Sequence, residues 1–364
     1  MDFNFSMPAP GISSQSSRPP PHSSLTFKAD ALLGGGLRGS AWRFQELRDG
    51  KVVGRFVVKY AKHPVAMPTI EKEIRIIQRL RGHAHIAQPI LDRGKMRSIP
   101  PSAHPVDVPQ GTSVYVVTEY LKNGSLDRFL QRARRRADPI PNLLRMVIGM
   151  ARPSTTTTST TSSSATPSFF GGGGVPPPST TTIEQLPLFE PTTGSHYQIY
   201  HGDLQNLLNL MFGDLDASEH ALVPILKAID FGESEDDFAA FQASCLPSGV
   251  TAATLTQGNI RDIGVVMQMA ISYVAEPRAA FLAQRPNLDP ELYDLVTACA
   301  AADHRRRPTL ARLHARVQDA VARKNGPAAF AGRPHAARES DAAIREYLRE
   351  VLYSADTTAT ATAT

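Results

Sequence analysis

A chain of 364 residues, 41% hydrophobic and 20% charged, is long enough for one large domain or two and apolar enough to bury a core. Its net charge of +5 comes with only short basic runs, Arg134–Arg136 and Arg305–Arg307, which read as solvated helix faces and speak against a nucleic-acid surface. Two cysteines, Cys245 and Cys299, without metal-ligand spacing, speak against a disulfide scaffold or zinc site, and no apolar run approaches the roughly 20 residues that span a bilayer.

Met1 to Ser24 is rich in Ser and Pro and is expected to be disordered. Its start, MDFNFSMPAPG, lacks a basic segment followed by an apolar one, so no secretory signal is expected. With the low cysteine usage, this implies a soluble protein of a reducing compartment, cytoplasmic or nuclear, with no membrane partner. From Leu25, alternating apolar residues and the Asp49-Gly50 pair predict a β-hairpin or meander. Gly34, Gly36 and Gly39 fit G-x-G-x-x-G, and the stretch after them is strand-like, whereas a dinucleotide fold requires a helix there. FVVKYAK predicts a buried strand presenting Lys59, and an ammonium in an apolar strand needs a partner. Apolar residues at 70, 74, 77 and 80 predict an amphipathic helix over Ile70–Leu80.

Prolines between Met96 and Thr112 predict a loop, and VYVVTEYLKNGSLDRFL predicts a strand, a Gly turn and a helix start. Asn142–Arg152 is helical in period. Pro153–Thr182 is dominated by Ser, Thr, Gly and Pro, and reads as a disordered insertion within a folded domain or as a translated intron. The stretch Tyr200–Gly232 organises the rest. Asp203 follows His-Gly in a polar loop, and Asp230 ends the run Leu226–Ile229 just before Phe231-Gly232. A strand that delivers a carboxylate beside a glycine turn suits a metal ion, and a second carboxylate upstream suits proton acceptance from a hydroxyl. Asn259–Ala275 and Leu288–Val317 follow as helical regions, and Glu339–Tyr353 as one more helix before a disordered TTATATAT tail.

These elements, in this order, resemble the divergent eukaryotic protein kinase-like superfamily: glycine loop, strand lysine, helix glutamate, hinge, catalytic aspartate, D-F-G and Arg307-Pro308-Thr309. The resemblance implies an α+β, bilobal fold, with a small antiparallel β N-lobe over about 25–120 and a mostly helical C-lobe over about 121–318. Residues 319–364 then form a C-terminal helix and tail. It implies ATP and Mg2+ as cofactors. By the E-x-x-I-I-x-x-L pattern Glu73, or failing it Glu71, pairs with Lys59 to orient the phosphates under Gly34, Gly36 and Gly39. Thr118 becomes the gatekeeper, backbone groups of Glu119 and Leu121 bond adenine, and Ser125 stands at the ribose. Asp203 positions the acceptor hydroxyl, and Asp262 matches a buried aspartate that bonds the loop around it.

The chain departs from the family pattern at four points. Gly202 replaces an arginine, giving a His-Gly-Asp loop similar to small-molecule kinases and fungal kinase-like proteins. Gln205 replaces a lysine. Leu208 stands where a metal-binding asparagine is usual, so Asp230 and Asn209 can hold the metal only through a one-residue bulge. The A-P-E triplet that gives Arg307 its acidic partner is missing from Glu233–Gln257. Three functions stay open: phosphate transfer from ATP to a protein Ser/Thr hydroxyl, a pseudokinase acting as a nucleotide-binding or interaction module, and a small-molecule kinase.

Overall fold

The computed structural model describes residues 25–36, 39–92, 95–106, 108, 114–136, 139–142, 144–145, 199–215, 222–235, 252–271, 282–283, 285–324 and 326–353. The expected N-terminal tail, the insertion at 153–182, most of the segment between Glu235 and the next helix, and the end of the chain lie outside them.

The alternating stretch forms β1 (Leu25–Gly35), β2 (Gly39–Arg48) and β3 (Lys51–Ala61), an antiparallel meander as its pattern requires. Asp49 and Gly50, at φ 51° and 76°, make the tight turn between β2 and β3, a conformation that Gly adopts freely and Asp tolerates. After two short strands, β4 (Leu91–Asp92) and β5 (Lys95–Met96), β6 (Tyr115–Glu119) pairs with β3 and completes a sheet ordered β1-β2-β3-β6. Phe44, Phe56, Val58, Tyr60 and Val117 share a core on one face of this sheet. The proline-rich segment, expected as plain loop, closes that core with Ile99 and Val108.

The rest is mostly helical. α1 (Met67–Arg79) and α2 (Leu126–Arg134) are followed by a two-stranded hairpin, β7 (Leu210–Phe212) with β8 (Leu226–Ala228). Then come α3 (Ala252–Ile271), α4 (Pro290–Cys299), α5 (Leu310–Arg323) and α6 (Asp341–Leu348). Gly264 lets α3 meet α4, since a Cβ there would lie 2.5 Å from the Ala300 amide nitrogen. The molecule is therefore mixed α+β, with a four-stranded antiparallel sheet and helices. Among the described residues no helix is long and apolar enough to cross a membrane.

Packing does not stop at residue 318, where the resemblance ends the domain. Ile344, Tyr347, Leu348, Val351 and Leu352 recur at helical spacing and join the largest core, with Ile76 and Ile77 of α1, Phe129 of α2, Phe212 and Phe231. Arg136 pairs with Glu350 at 2.5 Å, and Arg132 donates to the carbonyl of Val351. The C-terminal helix is thus part of the domain, because its apolar stripe is buried in the same core.

Candidate functional site

The strand register brings the first group of side chains together. Lys59 lies opposite Ala41 on β2 and Val116 on β6, and Val57 lies opposite Thr118, so these five share one face of the sheet. Lys59 Nζ reaches Glu73 Oε2 at 2.8 Å and Asp230 Oδ1 at 2.5 Å. Glu73, only 3% exposed, comes from the buried side of α1, while Glu71 is exposed on the same helix. Burial alone would favour neutral Lys59, but the charges of Glu73 and then Asp230 outweigh it and raise its pKa, so it stays an ammonium. Burial likewise opposes ionisation of Asp230, and the Lys59 charge and hydrogen bond reverse this, leaving its pKa below the ordinary carboxylate value.

Asp230 sits at φ 61°, a left-handed conformation rare outside glycine. The packing on both sides enforces it. Ile229 donates its amide to the carbonyl of Asn209 at 2.9 Å, and Phe231 is fully buried with its ring centroid 4.8 Å from that of His201. Burial holds the pKa of His201 down, and its Nε2 lies 3.1 Å from the carbonyl of Ile229.

The loop after Asp203 is where the chain departs, at Leu208, from the spacing that the resemblance expects. A 3-10 turn spans Leu207–Asn209 and is capped by the Asn206 side chain. Leu208 is 55% exposed, while Asn209 turns inward and donates to Asp203 Oδ2 at 2.8 Å and to the Asp203 carbonyl at 3.1 Å. Asn206 donates to the same carboxylate oxygen at 3.2 Å. Asn209 therefore touches Asp203 and adjoins the strand end that carries Asp230. Its amide nitrogen is committed to Asp203, which leaves its oxygen as the atom suited to a metal.

Asp262 does not make the bonds assigned to it. Asn259, one helical turn earlier on α3, donates to the carbonyl of Ile199 at 2.8 Å and accepts from the amide of His201 at 3.0 Å. One partner needs a donor and the other an acceptor, which a carboxamide provides and an ionised carboxylate does not. Asn259 was the residue missed: the helix expected to begin there instead runs Ala252–Ile271, which sets Asn259 two turns inside α3, facing the loop. Asp262 is only 4% exposed; burial pushes its carboxyl up to about 6, with Arg261 pulling it down and Asp203 adding to the rise.

That shift gives a testable sign. A carboxyl with a raised folded-state pKa penalises folding only when ionised, so its cost is absent at low pH, builds between about 4 and 6, and is full above that. Asp262→Asn is therefore expected to stabilise the protein on the order of 1 kcal/mol at neutral pH, after discounting for solvent screening, and not at about pH 3.5. Thermal melts at the two pH values check it, and an equal gain at both would contradict the cause given.

Elsewhere the site residues have mixed surroundings. Gly39 is required, because a Cβ there would lie 2.6 Å from the Tyr60 carbonyl oxygen, and Gly36 N donates to Gly39 O at 2.9 Å to close the hairpin. Gly34 and Gly36 have open space around them. Glu119 Oε1 accepts from Lys227 Nζ and from the Gln88 amide, both at 2.7 Å, fixing the strand end that leads to buried Leu121. Ser125 is 5% exposed and its hydroxyl caps α2 by accepting from Arg128 N at 3.3 Å, so a ribose contact would compete with the cap. Arg307, lacking an acidic A-P-E partner, donates instead to the carbonyls of Ala301, Gln257 and Ala302 at 2.7, 2.8 and 3.1 Å.

No known protein family matches this sequence, and no curated protein is similar to it. Interpretation of the site therefore rests on its geometry. Among the described residues no cluster of three or more His, Cys, Asp or Glu side chains forms a ready metal cage.

Proposed function

We propose that the chain is an ATP- and Mg2+-dependent phosphotransferase with a bilobal, protein-kinase-like fold, acting on a Ser/Thr hydroxyl of a protein. The observation that carries this reading is the convergence of four elements. Lys59 is held between Glu73 and Asp230, and Asn209 links Asp203 to the strand end bearing Asp230.

Each residue has a role that its surroundings support. Lys59, kept charged by its two carboxylates, offers an ammonium to phosphate oxygens on the face shared with Ala41, Val57 and Thr118. Glu73 fixes the position of that ammonium. Asp230 and the amide oxygen of Asn209 are hard oxygen donors, and Mg2+ characteristically takes one or two carboxylates with phosphates and water completing its shell, so the donor set fits. Bound Mg2+ would supply charge neutralisation on the transferred phosphoryl group. Asp203, oriented by Asn206 and Asn209, is placed to accept the hydroxyl proton. The backbone of Glu119 and Leu121 would meet the adenine. A reducing cytoplasmic or nuclear setting, implied by the low cysteine usage, goes with this reading.

A catalytically silent nucleotide-binding or interaction module is the second reading. It is favoured by Gln205, an exposed uncharged side chain at the position where the resemblance places a phosphate-neutralising lysine. Thermal denaturation with Mg–ATP tests the shared part of both readings. Ligand at about 100 times its dissociation constant stabilises the native state by roughly 2.7 kcal/mol, a rise of several degrees in a domain of this size. No shift at millimolar Mg–ATP would remove the nucleotide site.

A further inference from the structure

We propose that Lys72 and Glu235 form a charge clamp that positions α1, making both residues positioning residues for the Lys59–Glu73 pair. Its consequence for activity rests on the phosphotransferase reading above; the clamp itself does not. Lys72 Nζ lies 2.8 Å from Glu235 Oε1, each side chain 24% exposed. Neighbouring helical residues project about 100° apart, so α1 turns Glu73 inward to Lys59 and Lys72 towards the segment after Asp230.

The receiving end of the clamp is rigid. Glu235 exchanges two backbone hydrogen bonds with Tyr200, at 2.9 and 2.8 Å, directly before the loop that carries Asp203. Ser234 Oγ donates to the carbonyl of His201 at 3.0 Å. α1 also approaches this segment closely, since a Cβ on Gly232 would lie 3.0 Å from Thr69 Cγ2. Through the clamp, α1 is therefore tied to the backbone on which Asp203 and Asp230 are set.

The same geometry leaves no place for the arginine that, by the resemblance, receives a phosphate at Gly202. That residue is at φ 82°, and a Cβ would lie 2.7 Å from the Glu233 carbonyl oxygen. The chain supplies its own carboxylate, Glu235, to a cation on α1. Charge pairs of this type respond to reversal of either end and recover when both are reversed.

Hydrogen exchange of the full-length protein decides it, reading amides of α1 against those of α2 as an internal reference. Lys72→Glu and Glu235→Lys are each expected to speed exchange in α1 by about fivefold or more, with α2 unchanged. Lys72→Arg should match wild type, and the double charge swap should return to within about twofold of it. Unchanged α1 exchange in both single variants, equal acceleration of α1 and α2, or no recovery in the double swap would each overturn the clamp. Mg–ATP affinity, measured on the same proteins, should fall in the single variants and recover in the swap. Absence of any Mg–ATP binding by wild type would remove the phosphotransferase reading, while the exchange data would still decide the clamp.

Discussion

Asp203→Ala is expected to lower phosphotransfer by roughly two to four orders of magnitude while leaving Mg–ATP binding nearly intact. The structure supports this separation. The Asp203 carboxylate makes its hydrogen bonds to Asn206 and Asn209, and not to Lys59, which pairs with Glu73 and Asp230. Removing it should cost proton acceptance and acceptor placement, but not the phosphate site. Asp230→Ala should do the opposite and weaken the Mg2+-dependent part of ATP binding. It also releases one of the two charges that keep Lys59 an ammonium. Single-turnover transfer and equilibrium binding, measured on both variants, separate the two effects. Equal transfer by wild type and both variants would mean that the activity belongs to a contaminant.

Gly202→Arg is the second large effect, and here family logic and local geometry give opposite answers. By the resemblance an arginine would restore the usual loop. In this chain residue 202 is left-handed at φ 82°, and its Cβ would lie 2.7 Å from the Glu233 backbone oxygen and 3.3 Å from the Glu233 Cβ. A left-handed backbone alone costs an L-residue about 1–2 kcal/mol, and a backbone clash must be relieved by moving the Tyr200–Glu235 ladder. A loss of about 3 kcal/mol is expected, which lowers the melting temperature by roughly 6–12 °C. Gly202→Ala should show most of this loss, because the strain begins at Cβ. A melting temperature unchanged in both variants would contradict the backbone constraint.

The sequence was most legible where a physical pattern was strict. Period-two alternation and Asp49-Gly50 locate the meander and its turn, and a lysine in an apolar strand demands the partners that Glu73 and Asp230 provide. Glu73 was preferred to Glu71 only by the pattern of the resemblance, and the structure buries Glu73 on α1 and leaves Glu71 exposed. Legibility failed where a role was assigned by residue type at an expected spacing. Asp262 was expected to bond the loop, but the loop presents one amide and one carbonyl, and only the carboxamide of Asn259 satisfies both. Arg307 has no A-P-E glutamate, as its sequence implied, but the sequence could not show that three backbone carbonyls would serve its guanidinium instead. The reach of the core to Leu352 was hidden for another reason. An apolar stripe shows that a helix is buried, but not against what.

The most direct measurement is a calorimetric titration of ATP, with and without Mg2+, into wild type, Lys59→Met and Asp230→Ala. Wild type is predicted to bind ATP more tightly with Mg2+ than without it. Asp230→Ala should lose that difference, and Lys59→Met should bind weakly under both conditions. Wild-type binding that is absent, or that is indifferent to both Mg2+ and Asp230, would contradict the assignment of this site to nucleotide and metal.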